Sequence, residues 1–178
     1  MSELLKQIKS GLRFAMTAEV KLRKMDVTSG EAFDTTISQK TVSRAIISMF
    51  PEIGKKPAEA TDADVIKLLK KYISQEKERA IYQLGYLKEK DVAGISASEL
   101  KKLVTNTIKN LGDELITTNV FIAQLYLPKE ATKEEITSWI SENIDFSKFK
   151  NKMQAMKPIM QQFQGADGNF VKDILLNL

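Results

Sequence analysis

Apolar residues recur along most of this 178-residue chain at three- and four-residue steps, the spacing of one face of a helix. Leu4, Leu5, Ile8, Leu12, Ala15 and Met16 form such a face, with Lys6, Lys9 and Arg13 off it, which predicts a first helix from residue 3 to about residue 24. Gly11 weakens it by up to about 1 kcal/mol relative to Ala. Its face lacks Trp or Phe anchors, so packing on its own domain is expected rather than a membrane surface. Residues 26–39, rich in Thr, Ser and Gly without a sustained period, read as a loop. A short helix is expected at residues 40–50, where Val42, Ile46, Met49 and Phe50 align, ended by Pro51. Residues 51–60 form a second connection. Its Gly54-Lys55-Lys56 lacks the glycine spacing of a phosphate loop and reads as a solvated turn.

Thr61-Asp62-Ala63-Asp64 opens the next helix. Thr61 serves as N-cap and the two aspartates favour the positive end of the helix dipole, the alternative being a metal pair. Ile66, Leu69, Ile73, Ala80, Leu84 and Leu87 carry this helix to about residue 93, roughly 45 Å, unless Gly85 interrupts it. Gln75-Glu76-Lys77-Glu78-Arg79 forms a polar block within it. So long a helix needs a partner along its length, from the same chain or another copy. Ser96 and Glu99 have capping-box spacing and start a helix to Leu111 with Leu100, Leu103, Val104, Thr107, Ile108 and Leu111 on its face and Gly112 as its stop. Residues 113–126 read as a further helix or a bent continuation; Val120-Phe121-Ile122 favours a strand locally, but no partner strand is evident.

Leu127-Pro128 marks a domain boundary. Beyond it, Thr132 and Glu135 form a second capping box for a helix to Asn143, with Ile136, Trp139 and Ile140 inward; a base-stacking platform is the other reading of Trp139. After a turn at residues 143–147, Phe149, Met153, Met156, Met160 and Phe163 fall on one helical face, which Pro158 kinks or divides. Gly165 supplies the stop, Asp167 caps a closing helix over residues 170–176, and Val171, Ile174, Leu175 and Leu178 repeat the spacing. The expected fold is therefore all-α: a helical part, residues 1–128, with a long central helix, and a compact three-helix tail, residues 129–178.

Composition narrows the chemistry. The chain is 43% hydrophobic and 28% charged, ordinary for a globular protein, and no apolar run approaches the ~20 residues of a membrane helix. Its first residues lack the apolar centre of a signal peptide, and it has no cysteine, which suits a reducing compartment; a cytoplasmic location is expected. With neither Cys nor His, Cys nucleophiles, Ser-His-Asp triads, His bases and nearly all zinc sites are excluded. No catalytic residue, metal ligand or cofactor is expected. The net charge is +4, and residues 129–178 carry seven basic and seven acidic side chains, so no domain announces nucleic acid by charge alone. The local exception is residues 146–166, which contain no acid but hold Lys148, Lys150, Lys152 and Lys157. On a continuous helix Lys150 and Lys157 would flank one side of the Met stripe and Lys148 and Lys152 the other, an arrangement that fits either a solvated face or a phosphate contact.

From Tyr126-Leu127-Pro128-Lys129 onward the chain resembles the GatB/YqeY family, which groups YqeY proteins with the tail domain of the glutamyl-tRNA(Gln) amidotransferase B subunit. The residues are Leu127-Pro128, Lys133-Glu134-Glu135-Ile136, Met156, Met160, Gly165-Ala166-Asp167-Gly168 and the closing residues 171–178; residues 62–81 are similar to the charged central helix of YqeY. Residues 20–60 and 95–120 match poorly. The resemblance implies an RNA-binding module for tRNA at residues 129–178, with Lys148, Lys150, Lys152, Lys157 and Lys172 as its contacts. Where the family tail reads Gly-Arg-Ala-Asp-Gly, Gly165 is followed directly by Ala166; Gln162 and Gln164 stand at positions commonly Lys, and Met153 where a small residue is expected. These departures remove positive charge and leave the apolar pattern intact. The kinase-like domain of the B subunit and the Ser-Ser-Lys machinery of the amidase subunit are absent from this chain, so the carbon–nitrogen ligase activity of the family is not expected of it alone. The alternatives are a protein-interaction or self-association module built on the long central helix and Met-rich faces, and an accessory subunit of an amidotransferase-like assembly.

Overall fold

The computed structural model describes residues 2–88, 92–129, 131–149, 151–163 and 166–177, without the side chains of Asp113 and Lys148. The described residues form eight α-helices and no strand, so the protein is all-α. They fall into two compact units, Met1–Tyr126 and Leu127–Leu178. Five helices build the first: α1 (Glu3–Lys24), α2 (Glu31–Ser48), α3 (Asp62–Gln83), α4 (Ala97–Leu111) and α5 (Thr118–Leu125). The second has α6 (Lys133–Asn143), α7 (Met156–Gln162) and α8 (Gly168–Leu176).

In the N-terminal unit α1 lies along α2, and α5 packs against both α2 and α3. Leu5, Ile8, Val42, Ile46, Phe50, Val65 and Leu69 are fully buried there. Gly11 is a site of close approach: a Cβ would run into the Tyr126 hydroxyl and the Gln39 amide, which hydrogen-bond to each other. Asp62 stands in the first turn of α3, as expected, and also reaches beyond its own helix. Its carboxylate accepts from the Ser2 hydroxyl and from the Leu4 N–H at 3.1 Å, joining the start of α3 to the start of α1, and the Ser2 hydrogen bond holds its carboxyl below the usual range. Asp64 completes a reciprocal capping box with Thr61 and receives Lys55 at 2.7 and 2.9 Å. Lys55 first, then the Thr61 N–H and hydroxyl, lowers its carboxyl to about 2. The aspartate pair thus caps two different helices.

Two expectations about this unit are corrected, and one residue adds a feature of its own. The loop over residues 26–39 is helical from Glu31 onward. Phe33 is buried under the Arg23 guanidinium, 5.3 Å from its ring centroid, and the hydroxyls of Thr36 and Thr41 donate back to the Ala32 and Ile37 carbonyls. Packing against α1 therefore overrides the weak propensity of a Thr- and Ser-rich segment. The central helix stops at Gln83, after about 33 Å, rather than running toward residue 93. Gly85 adopts φ +77°, the N–H groups of Tyr86 and Leu87 return to the Ile81 carbonyl, and Leu87 folds back onto Ala80 and Ile81 while Leu84 is left exposed. Partners along α3 come from this same chain: α1, α2, α4 and α5. Finally, the polar block contains a buried member. Glu76 accepts from Arg79 at 2.6 Å and from the Asn119 amide on α5 at 2.9 Å.

In the C-terminal unit Ile136, Ile140, Ala155, Ile159, Val171, Ile174 and Leu175 make the core, with Met153, Met156, Met160 and Phe163 half-buried around it. The Met stripe is not one helix. Phe149 and Asn151 are extended, a 3-10 turn spans Lys152–Ala155, and α7 follows directly. The Asn151 carboxamide caps that turn by accepting from the Met153 N–H, and Ala155 and Ile159, not the methionines, are the fully buried side chains. Pro158 is the third residue of α7, where a missing N–H costs nothing, so the break lies before it. The expected Gly165 stop and Leu178 lie outside the described residues, while Asp167 caps α8 by accepting from the Asn169 and Phe170 N–H groups at 2.7 and 3.2 Å.

Stability measurements on variants check these contacts. Thr61→Ala removes a capping-box partner and is expected to cost about 1 kcal/mol in urea denaturation. The lowered carboxyl of Asp64 contributes stability that is present above about 3.8 and lost as pH falls toward about 2. The stability difference between wild type and Asp64→Asn should therefore shrink across that window; a pH-independent difference would show that the Lys55 pairing is not the cause. Glu76→Ala leaves the Asn119 amide without its acceptor and is expected to cost about 1–3 kcal/mol. A double-mutant cycle with Asn119→Ala should return a coupling energy rather than additivity.

Candidate nucleic-acid interface

The phase of α6 is set at its first turn. Thr132 Oγ1 accepts from the Glu135 N–H at 3.2 Å, and the Glu135 carboxylate accepts from the Thr132 N–H at 2.8 Å. From that start, Ile136 and Ile140, one turn apart, point into the core. Trp139 falls between them and reaches only the edge of it. It packs against the core as expected but is only half-buried, and meets Phe163 edge to face, with ring centroids 5.7 Å apart and planes at 84°. Phe163 is held at the C-cap of α7, where its N–H donates to the Ile159 carbonyl.

Trp139 and Phe163 lie open in a groove of about 580 Å³. One wall is the stripe of α6 formed by Glu135, Ser138, Trp139 and Glu142, at steps of three, one and three residues. Lys129 and the Gln162 amide complete it. The Ser138 hydroxyl donates to the Glu142 carboxylate at 3.1 Å, and the Asn143 amide donates to the Trp139 carbonyl at 2.9 Å, which ties the rim residues to the helix. The groove therefore offers an aromatic surface, two carboxylates and one ammonium group.

The five lysines marked by the sequence are not gathered into this groove. Lys152 begins the 3-10 turn, Lys157 is in the first turn of α7, and Lys172 is on α8. All three are exposed and make no ion pair with a described residue. Lys150 and the side chain of Lys148 lie outside the described residues. The projection that pairs these lysines across a helix fails, because Phe149 and Asn151 are extended. Sequence reasoning missed Lys129, Glu142 and Gln162. The signal for Glu142 was available: it repeats the positions of Glu135 and Ser138 on the face of α6 that excludes Ile136 and Ile140. Among the described residues no group of three or more acidic side chains is placed to hold a metal ion. Comparison with known proteins gave no match: no family model, no curated protein and no solved structure matches the chain.

The contrast between rim and core is testable. Ile140→Ala should cost about 2–5 kcal/mol through the cavity it leaves. Trp139→Ala should cost less, because much of its surface already meets solvent. Acrylamide should quench the native fluorescence of Trp139 substantially; quenching at the level of a fully buried indole would contradict the open groove.

Proposed function

We infer that this chain is a non-catalytic binding protein whose C-terminal unit holds RNA, with tRNA as the RNA to which the GatB/YqeY resemblance points. The observation that carries this reading is the Trp139–Phe163 pair lying open beside Lys129. Aromatic surfaces of this kind stack unpaired bases at about 1–3 kcal/mol per base, and nearby cations neutralise the attached phosphates. Exposed Lys152, Lys157 and Lys172 supply further positive charge on the same unit, while Glu135 and Asp167 are engaged at helix N-termini. Lys148 and Lys150 belong to the same proposed set through the resemblance.

A second reading rests on the other unit. Phe14 is 74% exposed, Met25 71% and Leu125 65%, apolar side chains that a partner would cover. This favours a protein partner, self-association, or service as an accessory subunit of an amidotransferase-like assembly.

Anisotropy of labelled tRNA, titrated with the protein at two salt concentrations against unrelated duplex RNA, separates the two. Saturable binding that weakens with salt is expected. Changing Lys152, Lys157 and Lys172 together to Glu should lower the log–log salt slope by about 2, the value for three contacts on a single strand. Absence of binding at low salt, with concentration-dependent association in sedimentation, would replace the RNA reading with the second one.

A further inference from the structure

The geometry points to an unpaired guanine base as the occupant of the Trp139 groove, a specificity that rests on the RNA reading above. The groove has few groups of fixed polarity. Apart from Lys129 they are the carboxylates of Glu135 and Glu142, which accept hydrogen bonds and never donate them while ionised. Glu135 uses one oxygen on the Thr132 N–H, and the Ser138 hydroxyl donates to one oxygen of Glu142. The other oxygen of each has no partner among the described residues, and a carboxylate has about four lone-pair sites in all, so Glu142 keeps room for a two-donor fork.

Of the four bases only guanine presents two adjacent donors on one edge, N1–H and the N2 amino group. Adenine and cytosine each set a ring nitrogen acceptor beside their amino group, and uracil flanks its N3–H with two carbonyls. Against a carboxylate, those acceptors face a second oxygen of like charge. A guanine stacked on Trp139 can therefore give both donors to Glu142, a charge-assisted pair of the strong bidentate kind. Lys129 is the cation available to its O6 or to the attached phosphate.

Trp139 is the only tryptophan in the chain, so its fluorescence reports this groove and no other site. The full chain would be titrated with GMP, AMP, CMP and UMP, and in parallel with a labelled single-stranded RNA of mixed sequence followed by anisotropy. GMP is expected to saturate the Trp139 signal at concentrations on the order of tenfold below the other three, the discrimination of one good bidentate base contact. Glu142→Gln, a change at an exposed position, should bring the four nucleotides to within about threefold, whereas Glu134→Gln, on the same helix but outside the groove, should leave the preference for GMP intact. Equal saturation midpoints in the native protein would overturn the guanine assignment. So would RNA binding by anisotropy with no change at Trp139, and in that case the RNA reading would survive. A flat response in both experiments would overturn both.

Discussion

The first-turn N–H groups of a helix have no acceptor within the helix, and the way this chain supplies acceptors governs where its side chains point. Thr61 with Asp64, Ser96 with Glu99 and Thr132 with Glu135 form reciprocal boxes; Ser2, Thr117 and Asp167 cap α1, α5 and α8 with a single side chain. Each cap fixes the residue at which helical twist begins, and at 100° per residue that fixes every later direction. For α6 the consequence is direct. A box opening at Thr132 puts Ile136 and Ile140 inward and leaves Trp139 at the rim. The aromatic surface of the groove is a result of phase as much as of residue choice.

Features encoded locally were legible in the sequence. The boxes at Ser96 and Thr132, the capping of α8 by Asp167 and the apolar face of α4 depend on residues within a turn or two of one another, so spacing alone reveals them. Asp62 marks where that legibility ends. Its place in the first turn of its own helix was legible, but its hydrogen-bond partners, Ser2 and Leu4, lie about sixty residues earlier, and nothing at short range reveals that second role.

The elements read wrongly share a cause: their conformation is decided by distant contacts. The Thr-rich start of α2 has poor propensity and becomes helical because Phe33 and the residues after it have α1 to pack on. The Met stripe had a good helical period, yet the chain runs extended at Phe149 and Asn151 and the buried positions pass to Ala155 and Ile159. Methionine tolerates this because its flexible thioether packs at a rim as readily as in a core. Glu76 could be buried only once Asn119, more than forty residues on, was present to donate to it. The candidate site follows the same rule. Trp139 and Glu142 share a helix face that the sequence displays, whereas Lys129, Gln162 and Phe163 join them only through the fold.

In the C-terminal unit the residues that carry stability and those that carry candidate chemistry are largely separate sets on the same helices. Ile136, Ile140, Ile159, Val171 and Leu175 exclude water, while Glu135, Ser138, Glu142 and Gln162 face it. Trp139 and Phe163 belong partly to both, since each packs on the core with one edge and lines the groove with another. Substitutions at Glu142 or Gln162 therefore change the groove without opening a cavity. Charge at the surface and order in the core are under different physical constraints here, and a fold of this kind permits the first to vary while the second is held.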